Sequence, residues 1–187
     1  MRIVAGEFGG RRLAPVPRRG VRPTADPVRE ALFNILGERV VGQAFVDLGA
    51  GTGAVGLEAF SRGARAVFLV ERSREALATI RRNVELMAID PEQARHLVIV
   101  AADVLPWLRG PALPALPAAV RFFFADPPYD DPRLARWVAA VAGTGRLAAD
   151  GLLVVEHRTG RAVDPGPFRL EWSRRYGDST LTALARA

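Results

Sequence analysis

Val46-Asp47-Leu48-Gly49-Ala50-Gly51-Thr52-Gly53-Ala54-Val55-Gly56 is the stretch on which the reading of this 187-residue chain turns. The apolar run Phe45 to Leu48 predicts a buried strand, the glycines a tight turn, and the residues after Gly53 a helix. Glycines at such a junction let the chain reverse sharply and let a ligand approach the backbone. Gly51, Gly53 and Gly56 match the G-x-G-x-x-G spacing of dinucleotide folds. Asp47 shifts that reading, because a carboxylate two residues before the first glycine repels a pyrophosphate and favours a ligand carrying positive charge.

Working outward, apolar runs at Ala66 to Val70, Leu97 to Val100, Phe122 to Ala125 and Leu152 to Glu156 predict further strands. Helical stretches fall at about 53–62, 73–88 and 132–142, with a weaker one near Val104 to Leu108. Phe168 to Arg174 and Thr180 to Ala185, split by Tyr176-Gly177-Asp178, predict an antiparallel pair. Strands alternating with helices predict a doubly wound α/β domain. Ahead of it, residues 2–6 and 10–14 around Gly9-Gly10 read as a β-hairpin. A proline- and arginine-rich linker follows, then a helix opened by Asp26-Pro27, with Val28, Leu32, Ile35 and Leu36 on its apolar face and Gly37 as its stop.

The strand ends carry the acids. Glu71 closes the second strand, 24 residues after Asp47, where a carboxylate accepts from both hydroxyls of a ribose. Asp103 closes the third, where it accepts from an adenine amino group; each acid by itself is equally a solvated strand end or a helix cap. Together with Gly49, Ala50, Gly51, Gly53 and the neighbours Arg72 and Val104, these residues predict a nucleoside cofactor. S-adenosylmethionine fits, since it has no phosphate and carries a positive amino group and sulfonium.

Asp126-Pro127-Pro128-Tyr129 follows the fourth strand. An aromatic amine is a poor nucleophile because its lone pair is delocalised into the ring. The Asp126 carboxylate and the Pro127 carbonyl can both accept from the amino hydrogens, turning the lone pair outward and favouring the charge that develops on nitrogen. Pro127 and Pro128 stiffen the turn, and Tyr129 offers a face on which a base stacks. Methyl transfer to a planar amine is the chemistry this set predicts.

All 26 basic residues are arginine. Residues 1–40 hold eight of them against four acids, while the other 18 face 16 acids, so the charge of +6 is concentrated at the N-terminal end. Arginine binds phosphate through a planar fork, and Arg2, Arg11, Arg12, Arg18, Arg19, Arg22 and Thr24 are the candidate nucleic-acid contacts. Thr24 and Arg29 have a second reading as a local cap and a local ion pair. With no cysteine, disulfides and thiolate metal sites are excluded, and His96 and His157 read as ordinary fold residues, so no metal is expected. The absence of a long apolar run or an N-terminal apolar region predicts a cytoplasmic protein, and a monomer is the default expectation.

The Asp-Pro-Pro-Tyr turn resembles the N/D-P-P-Y class of amino-group methyltransferases. The chain as a whole resembles the bacterial 16S ribosomal RNA guanine-N2 methyltransferase family of the RsmD type. The resemblance is carried by Arg2-Ile3-Val4-Ala5-Gly6, Gly10-Arg11-Arg12-Leu13, the run from Arg22-Pro23-Thr24 to Asn34, Gly51 to Ala59, Ser61-Arg62-Gly63-Ala64, Asp126 to Tyr129 and Tyr176-Gly177-Asp178. It implies a Rossmann-like, seven-stranded methyltransferase sheet over residues 41–187, with a hairpin-and-helix extension over 1–40 that approaches RNA. It further implies methyl transfer to the 2-amino group of one guanine in small-subunit RNA, acting on an assembled or partly assembled subunit. One departure is Gly49, where the family often has an aromatic residue. The same turn also serves DNA adenine-N6 and protein glutamine methyltransferases, though no large target-recognition domain is evident. A non-catalytic RNA-binding assembly factor and, more distantly, a nicotinamide-dependent oxidoreductase are the readings from other classes.

Overall fold

The computed structural model describes residues 1–16, 26–110, 113, 116–127 and 133–187. In chain order the elements are helix α1 (Asp26–Leu36), a 3-10 turn (Gly37–Val40), β1 (Ala44–Leu48), α2 (Ala54–Ser61), β2 (Ala66–Glu71), α3 (Arg74–Met87) and α4 (Pro91–Ala94). There follow β3 (Leu97–Ala101), α5 (Val104–Arg109), β4 (Val120–Ala125), α6 (Leu134–Gly143), β5 (Leu147–Arg158), β6 (Phe168–Tyr176) and β7 (Ser179–Arg186). The strands form one seven-stranded sheet in the order β3-β2-β1-β4-β5-β7-β6. The first five pair in parallel, and β7 pairs antiparallel with both β5 and β6. The Rossmann-like, seven-stranded α/β architecture expected from the sequence is therefore the observed one.

Strand alternation sorts the core onto the two faces of this sheet. Phe45, Phe122, Phe124, Leu152, Val154, Leu181 and Ala183 face α1, α2 and α3. Val46, Leu48, Phe123, Ala125, Leu153 and Val155 face α5 and α6. On α1, Phe33 rather than Ile35 is the fully buried residue, and it stacks on Phe45 with ring centroids 5.9 Å apart. Gly56, the last glycine of the spacing motif, lets α2 lie against β2, because a Cβ there would come within 2.2 Å of Leu69 Cδ2.

The expected N-terminal hairpin is reduced to a single antiparallel bridge between Arg2 and Arg12. A few backbone bonds support it, among them Ile3 N–H to the Arg11 carbonyl at 2.9 Å. Its outward-facing donors meet α2. The Val4 and Ala5 N–H groups donate to the two Glu58 carboxylate oxygens at 2.7 and 3.0 Å, and the Phe8 N–H donates to Ser61 Oγ at 3.0 Å. Backbone donors used this way cannot also build a ladder. Glu58, fully buried, faces Arg29 at 3.6 Å and Arg62 at 2.8 Å. Arg29 is itself fully buried and donates to the Arg2 carbonyl, so its guanidinium is engaged within the fold.

Candidate active site

The glycine turn and the three acids meet at the carboxyl edge of β1, β2 and β3. Backbone amides take up much of their hydrogen-bonding capacity. Glu71, 9% exposed, accepts from the Arg72 and Ser73 N–H groups at 2.7 Å each through Oε1, and from the Gly51 N–H at 2.9 Å through Oε2. A carboxylate offers about four lone-pair positions, so one on Oε2 is left for a ribose hydroxyl. Asp103 caps α5 by accepting from the Leu105 N–H at 3.2 Å, and its Oδ2 pairs with Arg72 at 3.0 Å and Arg133 at 3.4 Å. For Asp103 the helix-cap reading and the strand-end reading both hold. Val104 is buried behind it at 3% exposure.

Asp47 sits deeper than the sequence suggests. It is 2% exposed, pairs across the sheet with Leu69 and Phe124, and accepts from the Gly56 N–H near the start of α2 at 2.9 Å. Burial pushes its carboxyl up to about 7, opposed by the Gly56 N–H and reinforced by the nearby Glu71 charge. Asp47 therefore lies beneath the turn and would act on a ligand only through its field. The donor set fits a nucleoside bearing positive charge: three carboxylates surround the turn, and Arg72 and Arg133 are engaged by Asp103. Glu71 would hold the ribose, Asp103 the adenine side, and the Gly49 to Gly53 backbone the remainder.

Asp126 lies one step beyond the β1–β4 ladder. Its N–H reaches the Leu48 carbonyl at 3.5 Å, and its carbonyl lies 3.7 Å from where a Gly49 Cβ would stand. Asp126 and Asp47 are therefore offset along the cleft: Asp126 is abreast of Gly49, and Asp47 is two residues further down β1 beneath α2. Asp126 is half-buried and Pro127 buried. Pro128 and Tyr129 lie outside the described residues, as do Arg18, Arg19, Arg22 and Thr24. Arg2, Arg11 and Arg12 are described and exposed.

Three residues that the sequence reading missed join this site. Gly49 adopts φ +76°, and a Cβ there would meet Trp137 Cη2 at 3.1 Å. The Trp137 ring from α6 thus occupies space beside the turn, and an aromatic side chain at position 49 would have to displace it. Arg133 reaches Asp103 from the start of α6. Asn83 on α3, fully buried, accepts from the Ala14 N–H at 2.7 Å and donates to the Ala14 carbonyl at 3.2 Å and the Thr52 carbonyl at 2.9 Å. It fastens the arginine-rich N-terminal segment to the glycine turn. A polar residue set between Ile80 and Met87 on the apolar face of α3 was the available signal for Asn83. Among the described residues no group of three or more His, Cys, Asp or Glu is placed to hold a metal, and no helix is long and apolar enough to cross a membrane.

Comparison with known proteins gives the family and the fold. The family model described as conserved hypothetical protein 95 matches residues 1–185. The ribosomal RNA small subunit methyltransferase D of Escherichia coli K12 is 32% identical over 174 residues, 92% of this chain and 81% of that protein. Among solved structures, an E. coli protein described as a candidate methyltransferase superposes with a TM-score of 0.82 at 28% identity, covering 100% of this chain and 98% of that one. A hypothetical protein from Thermus thermophilus gives 0.81 at 31% identity, covering 100% and 99%. The chain belongs to the conserved hypothetical protein 95 family, that of the RsmD-type methyltransferases.

Proposed function

We propose that this chain transfers a methyl group from S-adenosylmethionine to the exocyclic 2-amino group of a guanine in small-subunit ribosomal RNA. The observation that carries the reading is Asp126-Pro127 at the end of β4, abreast of Gly49 in the glycine turn. The ribosomal substrate is supported by the name of the E. coli relative, and the choice of guanine by the family resemblance. Residues 41–187 form the catalytic domain. Residues 1–40 form its RNA-side extension, with Arg2, Arg11, Arg12, Arg18, Arg19, Arg22 and Thr24 as contacts. The protein acts as a cytoplasmic monomer on the small subunit or its RNA.

When bound, the cofactor supplies an electrophilic methyl carbon. The chain supplies the rest. Asp126 and the Pro127 carbonyl accept from the two amino hydrogens, so the nitrogen lone pair points at the methyl group and the positive charge developing on nitrogen is stabilised. Tyr129 stacks the base. The glycine turn and Glu71 would hold the cofactor, and orienting it against the amine would supply the rest of the rate.

The test incubates protein and labelled S-adenosylmethionine with small subunits lacking the modification and identifies the product nucleoside by mass spectrometry. N2-methylguanosine is expected from wild type. Asp126→Ala is expected to lose at least 100-fold in turnover, on the order of removing a hydrogen-bond group that acts in the transition state, with S-adenosylhomocysteine affinity retained. Methyladenosine would keep the chemistry and overturn the guanine assignment; wild-type turnover by Asp126→Ala would remove Asp126 from the mechanism.

A further inference from the structure

The Tyr176-Gly177-Asp178 turn, which the chemistry above leaves unused, joins β6 to β7 at the same edge of the sheet as the candidate site. Registers fix the alignment. Ala125 pairs with Val155, Val155 with Thr182 and Thr182 with Ser173, so Asp126, Glu156, Leu181 and Arg174 lie at one level across four strands. Three inter-strand steps span about 14 Å, the length of roughly four stacked nucleotides.

The face is equally well determined. A register shift in β6 between Leu170 and Trp172 moves the strand from one side of the sheet to the other: Phe168 packs with the α5–α6 core, whereas Trp172 and Tyr176 pack with the α1–α3 core. Bulges commonly re-aim side chains in this way. Alternation then puts Arg174 on the α1 side between the two rings, and Arg158 joins it, since Arg158, Ser179 and Tyr176 form one cross-strand row. Trp172 and Tyr176 are half-buried, with one part packed on the core and one open; Arg158, Arg174 and Arg175 are exposed. Glu156 in the neighbouring row is 2% exposed and accepts from Ser179 Oγ at 2.8 Å.

Helix α1 starts at this edge and on this face. Arg29 meets Glu58, and Arg62 lies over the Phe33 ring, so α1 runs alongside α2 in the same direction, away from the carboxyl edge.

We propose that the α1-facing side of β6, with Trp172, Arg174 and Tyr176 in alternation and Arg158 beside them, is a second RNA-contacting surface that grips single-stranded RNA flanking the target base. Half-open rings interleaved with guanidinium groups supply stacking and phosphate contacts together, the combination that single-stranded nucleic acid requires. The surface rests on the reading of the protein as an RNA methyltransferase, which it deepens.

The experiment compares wild type, Arg158→Glu/Arg174→Glu, Tyr176→Leu and a charge-matched control, Arg65→Glu/Arg95→Glu, whose residues are exposed at the opposite edge. The KM for RNA is expected to rise about tenfold in the first variant, with kcat and the cofactor KM within twofold. Its salt slope should fall by about 1.4 to 1.8, two phosphate contacts' worth. Tyr176→Leu keeps apolar volume against the core and should raise the RNA KM with the salt slope unchanged. Equal effects from the control would overturn the surface. So would a defect seen on assembled subunits but not on naked RNA, which would assign it to a ribosomal protein. Wild type inactive on every ribosomal RNA would overturn the functional reading instead; binding of a fluorescent single-stranded oligoribonucleotide by wild type and the double variant then still decides the surface.

Discussion

The carboxyl edge of the sheet has two halves of opposite chemistry. Along β1, β2 and β3 it is lined by Asp47, Glu71 and Asp103, whose oxygens are met by backbone amides of Gly56, Gly51, Arg72, Ser73 and Leu105. Along β5 and β6 it carries the exposed arginines Arg158, Arg174 and Arg175 with the half-open rings of Trp172 and Tyr176. Asp126 stands at the seam. Acids held in place by amides suit a small cationic nucleoside that must be oriented closely. Arginines on an open strand suit a long polyanion that must be gripped at several points. One mixed sheet thus presents acids along one half of its edge and exposed arginines along the other, divided where its strand order reverses.

The largest expected effect breaks the acidic half. The Asp47 carboxyl is raised from 3.8 to about 7, so its ionised form is disfavoured by folding. The penalty is absent below the unfolded value, grows as pH rises towards 7 and is constant above it. Asp47→Asn should remove this titration. Its stability relative to wild type should therefore increase by about 3 kcal/mol between pH 5 and pH 8, read by urea unfolding. A difference that does not change with pH would show that Asp47 is not protonated at pH 5.

A smaller effect tests whether the N-terminal segment and the glycine turn act as one body. Asn83→Ala leaves the Ala14 and Thr52 carbonyls without their donor, at a cost of about 2 kcal/mol. Because Asn83 touches Thr52, it should also weaken S-adenosylhomocysteine binding measured by calorimetry. Loss of stability with unchanged binding would confine Asn83 to packing.

The smallest effect on the fold sharpens the other half. Arg11→Ala/Arg12→Ala touches two exposed side chains and should change stability by less than about 0.5 kcal/mol. If the N-terminal segment grips phosphate, the salt slope of RNA binding should fall by about 1.4 to 1.8. An unchanged slope, set beside a reduced one for Arg158→Glu/Arg174→Glu, would assign the grip to β6 and not to the N-terminal segment.

The sheet was legible because its strands are short apolar runs punctuated by glycine and acid. That local pattern survives whatever the surroundings do. Helix α4 was missed because four residues, Pro91–Ala94, give no periodicity to read. The N-terminal hairpin was legible as a pairing of two short runs, but not its docking: the Val4 and Phe8 N–H groups are taken by Glu58 and Ser61, more than 50 residues away. The candidate acids were found by their place at strand ends, yet their depth was not. Nothing local distinguishes Asp47, sealed under α2, from Asp103, which keeps its Oδ2 with Arg72 and Arg133.

Contiguous residues alone were enough for the alternation of strands and helices, the glycine turn with its acids, and Asp126-Pro127 at the end of the fourth strand, because each is written locally. Tertiary structure alone decided that Arg29 is buried against Glu58, that Asn83 ties residue 14 to Thr52, that Trp137 lies against Gly49, and that Arg174 is level with Asp126. Those are relations between residues far apart in the chain, set by helix packing, strand register and a single shift within β6, and no local pattern encodes them.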